Sequence, residues 1–307
     1  MRNYFNFLMA TEKVCKKTHS IAPDAHPSGR NLTKCRTHYF DVGLIAVLVF
    51  CSSGAKIAHG DDTAHTHPYT FDRAREWTLV GAGLGLAGVG MYYDARKTPY
   101  NRSDDARAQQ TTVPRFERTI AGNWDTRAAQ QSDLWLAASI VTPLTFLLPR
   151  TEDAEAIITL YGETAVLLIG GIAFSKGLVD RNRPYTYAQG APDNVRYTTD
   201  TKRSFFSGHA ATITGWSVFS ATLFGDYFPD SPYSPWVWAG ALGIATYASG
   251  LRVVAGMHFP SDVLSGMAYG ATIGYMVPTL HKKYARTPIT FYMDRDQFGL
   301  AWQSTLK

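Results

Sequence analysis

Six apolar segments constrain this chain more than any other feature: residues 77–93, 134–149, 155–178, 207–227, 234–251 and 261–280. Each is long enough for several helical turns and too long for an ordinary strand, which predicts an all-α fold. A polar loop spans 181–203, and the remaining late connections are short. Short connections make successive helices antiparallel neighbours, so the expected architecture is a six-helix antiparallel bundle. Between the first two segments lies a polar stretch, 94–133, with alternating charges and with Pro99 and Pro114. ITFYM (289–293) and FGLAW (298–302), joined by DRDQ, read as a small C-terminal β-hairpin.

The first 55 residues separate from the rest. Lys13, Lys16, Lys17, Arg30, Lys34 and Arg36 precede the apolar run VGLIAVLVF (42–50), and CSSGA follows. This is the order of a secretory signal, with an unusually long basic region, so it reads as a leader or an uncleaved N-terminal anchor. It holds seven of the 30 Lys/Arg and three of the 25 Asp/Glu, leaving 23 basic and 22 acidic residues. The pI near 9.0 therefore belongs mostly to the leader and gives no argument for nucleic-acid binding. Cys15, Cys35 and Cys51 all lie in it, so the remainder is compatible with an oxidising compartment. Residues 56–76 read as a polar linker, and His59, His65 and His67 as part of a solvated tail. The helical domain then covers 77–283, and 284–307 form the hairpin and tail.

GLGLAG (83–88) matches a dinucleotide-binding pattern, but no βαβ unit surrounds it. Small residues that let two helices approach closely, such as Gly81 and Gly85, explain the run better.

Three charged clusters carry the chemistry. Lys176 and Arg183 lie at and just beyond the end of the third segment, and Ser207-Gly208-His209 start the fourth. Arg252 closes the fifth, while His258 and Asp262 open the sixth. In an antiparallel bundle all of these fall at one end. Three cations beside helix N-termini suit a compact polyanion such as phosphate. Arg183 and Arg252 can donate paired hydrogen bonds, Lys176 supplies a point charge, and Ser207 and the Gly208 N–H add donors. His258 and Asp262 are four apart, so a carboxylate on one imidazole nitrogen would leave the other free as nucleophile. His209 is placed to act as general acid. The set suits phosphoryl transfer through a phosphohistidine with no cofactor, since the arginines neutralise the developing charge. Arg181 falls outside the set and reads as a solvated surface charge.

These motifs resemble the type 2 phosphatidic acid phosphatase superfamily, which includes bacterial acid phosphatases and vanadium-dependent haloperoxidases. The family's Lys, six residues, Arg-Pro matches Lys176 to Arg183-Pro184. Its Pro-Ser-Gly-His matches Ser207-Gly208-His209, with Phe206 in place of proline. Its Ser-Arg, five residues, His, three residues, Asp matches Arg252, His258 and Asp262, with Leu251 in place of serine. The resemblance covers about residues 77–280. It implies a metal-independent phosphatase with His258 as nucleophile, Asp262 as its orienting partner and His209 as acid.

Lipid phosphates such as phosphatidic acid are the expected substrates, with small phosphomonoesters second. Tyr185, Tyr187, Tyr197, Phe205 and Phe206 surround the motifs and suit either a lipid contact or a packed cap. Segment length and the Trp and Tyr near the segment ends favour membrane association, while Glu163 in mid-segment opposes it. Export with the site outside, at an inner membrane or in the periplasm, requires one segment not to span. No obligate protein partner is expected. Haloperoxidase activity and non-catalytic anion binding are the rival readings.

Overall fold

A computed structural model describes residues 68–105, 113–147, 153–283, 289–294 and 297–302. The leader and its apolar run lie outside the described residues, as do His59, His65 and His67. The described chain is mostly helical. Its helices longer than ten residues are α1 (Arg73–Asp94), α2 (Thr126–Val141), α3 (Ala154–Leu178), α4 (Gly208–Tyr227), α5 (Ser234–Val254) and α6 (Pro260–Leu280). Strands β1 (Ile289–Asp294) and β2 (Gln297–Trp302) pair antiparallel.

Local chemistry sets the helix starts. Asp72 caps α1 by accepting from the Ala74 and Arg75 amides, and Asp125 caps α2 through those of Arg127 and Ala128. Ser207 caps α4, and Pro260 takes the first position of α6, where its missing N–H costs nothing. The Asp125 cap also corrects the expected second segment. Its helix begins at residue 126 rather than 134, because TRAAQQSD is polar but helix-compatible, and it gives way to a 3₁₀ turn over Thr142–Leu147.

α1 packs on α3, α4 packs on α6, and α2 and α5 lie against α4. The main core joins Ile157, Leu160, Leu167 and Leu168 of α3 to Trp216, Phe219 and Leu223 of α4 and to Ile273 and Val277 of α6. Burying each such side chain contributes roughly 1.5–3 kcal/mol. Tyr69 joins this core fully buried, so the exposed linker expected to reach residue 76 stops short of it.

Glycines do bring α1 and α3 together, but not the two expected. Gly81 and Gly85 are exposed, with nothing within 4 Å of a notional Cβ. At Gly90 a Cβ would sit 2.3 Å from the Ala173 carbonyl oxygen, and at Gly170 2.2 Å from that of Gly83. The contact stripe is therefore offset by two residues, which on a helix rotates it about 160° from Gly81 and Gly85.

Connecting segments close over the end of the helices that carries the motifs. The Gly122 amide donates to the Pro184 oxygen, Tyr185 to Gly256, and Tyr100 to Thr198. Gly256 has φ +71°, and a Cβ there would lie 1.9 Å from the Asn123 oxygen. Only glycine fits this turn between α5 and α6.

Candidate active site

Lys176 on the last turn of α3, Arg183 beyond it, Ser207 to His209 at the start of α4, Arg252 at the end of α5, and His258 and Asp262 at the start of α6 occupy one end of the fold. A Cβ on Gly208 would lie 3.6 Å from Lys176 Cε. The structure thus brings together every residue the sequence singled out. It also changes how two of them are held.

His258 is buried, and its Nδ1 lies 2.6 Å from the Ser204 carbonyl oxygen. That oxygen can only accept, so Nδ1 carries the hydrogen and Nε2 presents a lone pair. Nε2 faces Arg183 Nη1 at 3.2 Å. Asp262 does not contact the imidazole as expected. Its Oδ2 accepts from Ser204 Oγ at 2.6 Å and from the Phe259 amide at 2.9 Å, and its Oδ1 is paired with Arg181. His258 precedes the first helical residue, Pro260, so a four-residue helical spacing does not apply to the pair. Asp262 orients His258 at one remove, by fixing Ser204.

Arg181 is not a solvated charge. It bridges two fully buried carboxylates, Asp262 and Glu117, the latter at 2.5 Å. Glu117 Oε1 in turn accepts from the Ser261 amide at 3.0 Å and hydroxyl at 2.7 Å. Arg181 therefore neutralises the scaffold beneath the histidine.

The phosphate-type donors are held from behind. Arg183 donates through Nε to the Asp200 carbonyl oxygen at 2.9 Å and through Nη2 to its carboxylate at 3.0 Å. Lys176 Nζ donates to the Arg203 oxygen at 3.0 Å. Asp133 Oδ1 reaches both His209 Nε2, at 2.8 Å, and Arg252 Nη1, at 3.3 Å. Asp133, Asp200, Ser204 and Glu117 were not singled out in the sequence, where no local motif marks them.

The electrostatics describe a site arranged for an anion. Burial lowers the His258 pKa well below the ordinary histidine value, and the charges of Arg183, Lys176 and Arg252 lower it further, opposed by the Ser204 bond. Burial brings His209 down to about 4, with Arg252 and Lys176 adding to the effect and Asp133 opposing it. Burial raises Asp200, but the Arg183 and Lys176 charges outweigh it and leave its carboxyl below the usual range. Both histidines are neutral near neutrality while the cations converge. A bound oxyanion would reverse the Coulomb effect and raise both.

The Phe206 departure has a structural counterpart. Its amide donates to Ser175 Oγ at 2.8 Å, a bond proline cannot make, and its ring lies 5.2 Å from that of Tyr269. Nothing in the structure explains Leu251.

Residues 155–286 match the PAP2 superfamily. Among similar proteins, lipid A 1-phosphatase of Rhizobium etli is 30% identical over 98 residues, covering 32% of this chain and 37% of that protein. Lipid A 4'-phosphatase of Porphyromonas gingivalis is 26% identical over 162 residues, covering 50% of this chain and 63% of that protein. Lipid A 1-phosphatase of Rhizobium johnstonii is 30% identical over 98 residues, 32% of this chain and 35% of its own length. The chain thus spans between about a third and under two thirds of the curated relatives it matches. No solved structure matches significantly.

Proposed function

Residues 155–286 belong to the PAP2 superfamily, and on that footing we propose that this chain is a phosphoric monoester hydrolase acting on lipid phosphates. The observation that carries the reading is the His258 imidazole, held by Ser204 with Nε2 directed at the Arg183 guanidinium. A phosphoryl group bound by Lys176, Arg183 and Arg252 would sit against that lone pair. Nε2 attacks phosphorus, the P–O bond to the leaving group breaks, and the leaving oxygen takes a proton from His209. The bound phosphate supplies the negative charge that lets His209 hold this proton, and Asp133 stabilises its cationic form. Water then attacks the phosphohistidine, with His209 accepting a proton, which releases phosphate and restores Nε2. Ser207 and the Gly208 N–H at the α4 N-terminus contribute donors to the equatorial oxygens.

The lipid substrate class is supported by the names of the relatives and by the apolar surface. α3 and α5 are long and apolar enough to cross a membrane, and only 22% of the α5 window is buried within the chain. Trp236, Tyr247 and Val254 of α5, and Trp77 and Tyr92 of α1, are exposed. Such a surface suits acyl chains or an interface. We place the site outside the inner membrane, with phosphatidic acid and lipid A-type phosphates as the leading substrates.

The test is phosphate release from a lipid A phosphate, phosphatidic acid and an aryl phosphate by the full chain in detergent, beside His258→Ala. Release from either lipid, lost in the variant, supports the proposal. Release from the aryl phosphate alone moves the substrate to small phosphomonoesters. Wild-type phosphate binding without any turnover replaces the enzyme reading with anion binding. Cleavage of an impermeant substrate by intact cells tests the outward-facing site.

A further inference from the structure

Away from the phosphate cage, against the middle of α3, lies a second buried polar cluster. Glu163 precedes Lys176 by thirteen residues, about 20 Å along the helix. Glu163 and His281 are fully buried, and Glu76 of α1 is nearly so. Their ligating atoms all lie within 4.8 Å of one another. His281 Nδ1 lies 2.8 Å from the Val277 carbonyl oxygen, so Nδ1 carries a hydrogen and Nε2 is turned toward two carboxylates. Nε2 is 3.2 Å from Glu163 Oε2 and 3.6 Å from Glu76 Oε1. Neither Glu163 oxygen, nor Glu76 Oε2, nor His281 Nε2 makes a hydrogen bond. Two buried carboxylates crowded on one imidazole nitrogen in this way call for a positive charge among them.

We propose that Glu76, Glu163 and His281 form a structural binding site for a divalent cation of the zinc class, separate from the phosphate cage. Carboxylate and imidazole ligands bind zinc at about 2.0–2.2 Å, which in a tetrahedron separates ligand atoms by about 3.4 Å. The 3.2 and 3.6 Å separations bracket that value. The Val277 carbonyl fixes the His281 tautomer as an outer partner of a metal-bound histidine does. Arg75 is a nearby cation. Its Nη atoms donate to the Leu280 and Thr70 oxygens and to Glu76 Oε1 at 3.2 Å, its Nε is without a partner, and it reaches neither Glu163 oxygen with a hydrogen bond. The ion would join α1, mid-α3 and the end of α6. It also accounts for a carboxylate in the middle of an apolar helix.

The experiment uses the full chain stripped with chelator and then given ZnCl₂, with MgCl₂ as comparison. Bound metal is counted by elemental analysis and stability is followed by melting. The expected result is one zinc per chain attributable to this site and a rise of about 5–10 °C in Tm at saturating zinc. His258→Ala retains both, whereas Glu163→Gln loses the zinc-dependent rise and one equivalent of zinc. Should Glu163→Gln fold poorly, Glu76→Gln, at the cluster's rim, serves instead, and cobalt substitution reports ligand geometry spectroscopically. Equal zinc content and equal Tm rise in wild type and both glutamate variants would overturn the site and assign the metal to the histidines near the N-terminus. No zinc binding, with Glu163→Gln destabilising regardless of metal, would reduce the cluster to a Glu163–His281 ion pair.

Discussion

Replacing Ser204 should disturb His258 almost as Asp262 replacement does, because both act through one element. The Ser204 hydroxyl donates to Asp262 Oδ2 at 2.6 Å, and the Ser204 carbonyl holds His258 Nδ1 at 2.6 Å. Ser204→Ala removes a buried hydrogen bond to a carboxylate, a loss of about 1.5–3 kcal/mol, while Asp262 keeps the Phe259 amide. If half of this appears as looser positioning of the imidazole, turnover falls about three- to tenfold. Asp262→Asn is more severe, since it also removes one of the two carboxylates paired with Arg181 while Glu117 remains, and should cost about 3 kcal/mol of stability. The assay is a double-mutant cycle on lipid-phosphate turnover and on denaturant midpoint. The two changes should be coupled by about 1–3 kcal/mol, the double variant being little worse than Asp262→Asn. A wild-type Ser204→Ala, a roughly 10⁴-fold loss in a stable Asp262→Asn and strict additivity would instead mean that Asp262 contacts the imidazole directly.

Arg181→Met should leave Glu117 and Asp262 buried without their cation and lower unfolding free energy by about 3–5 kcal/mol, measured by denaturant titration. Gly90→Ala should destabilise by about 1–3 kcal/mol through its clash with Ala173, whereas exposed Gly85→Ala should gain a few tenths to 1 kcal/mol from helix propensity. His209 is lowered from 6.5 to about 4 in the fold, so the folded state binds fewer protons than the unfolded one. Its stabilising contribution is present above pH 6.5 and disappears as pH falls toward 4, on the order of 3 kcal/mol in total. Added phosphate should shrink that loss, because a bound oxyanion raises the folded-state histidine back toward its unfolded value, which melting curves across this window would show. Asp133→Asn removes an influence that raises His209, so the histidine should titrate lower still, with turnover reduced about 10- to 100-fold.

Periodicity made the helices readable, since each apolar segment lies at least partly within a long helix. Position in the chain made the site residues readable, because Lys176, His209, Arg252 and Asp262 sit at alternate ends of successive helices, which fall on one side of the fold. What holds them was not readable. Glu117 and Asp262 are 64 and 81 residues from Arg181, and Asp133 is 76 from His209, separations no local pattern encodes. Arg181 looked like a surface charge because its neighbours in sequence are polar, whereas burial depends on how the 113–125 and 179–207 segments fold back. The glycine stripe was misplaced by two residues because GLGLAG contains several small residues, and only the packed partner selects among them.

The most direct test of the central claim is trapping the phosphoenzyme. The full chain, mixed with labelled lipid phosphate and quenched in alkali where phosphohistidine survives, should carry label on His258 within the first turnover. Digestion and mass spectrometry would place it there, and His258→Ala should carry none. Label on another residue, or wild-type turnover in His258→Ala, would contradict the assignment of His258 as nucleophile.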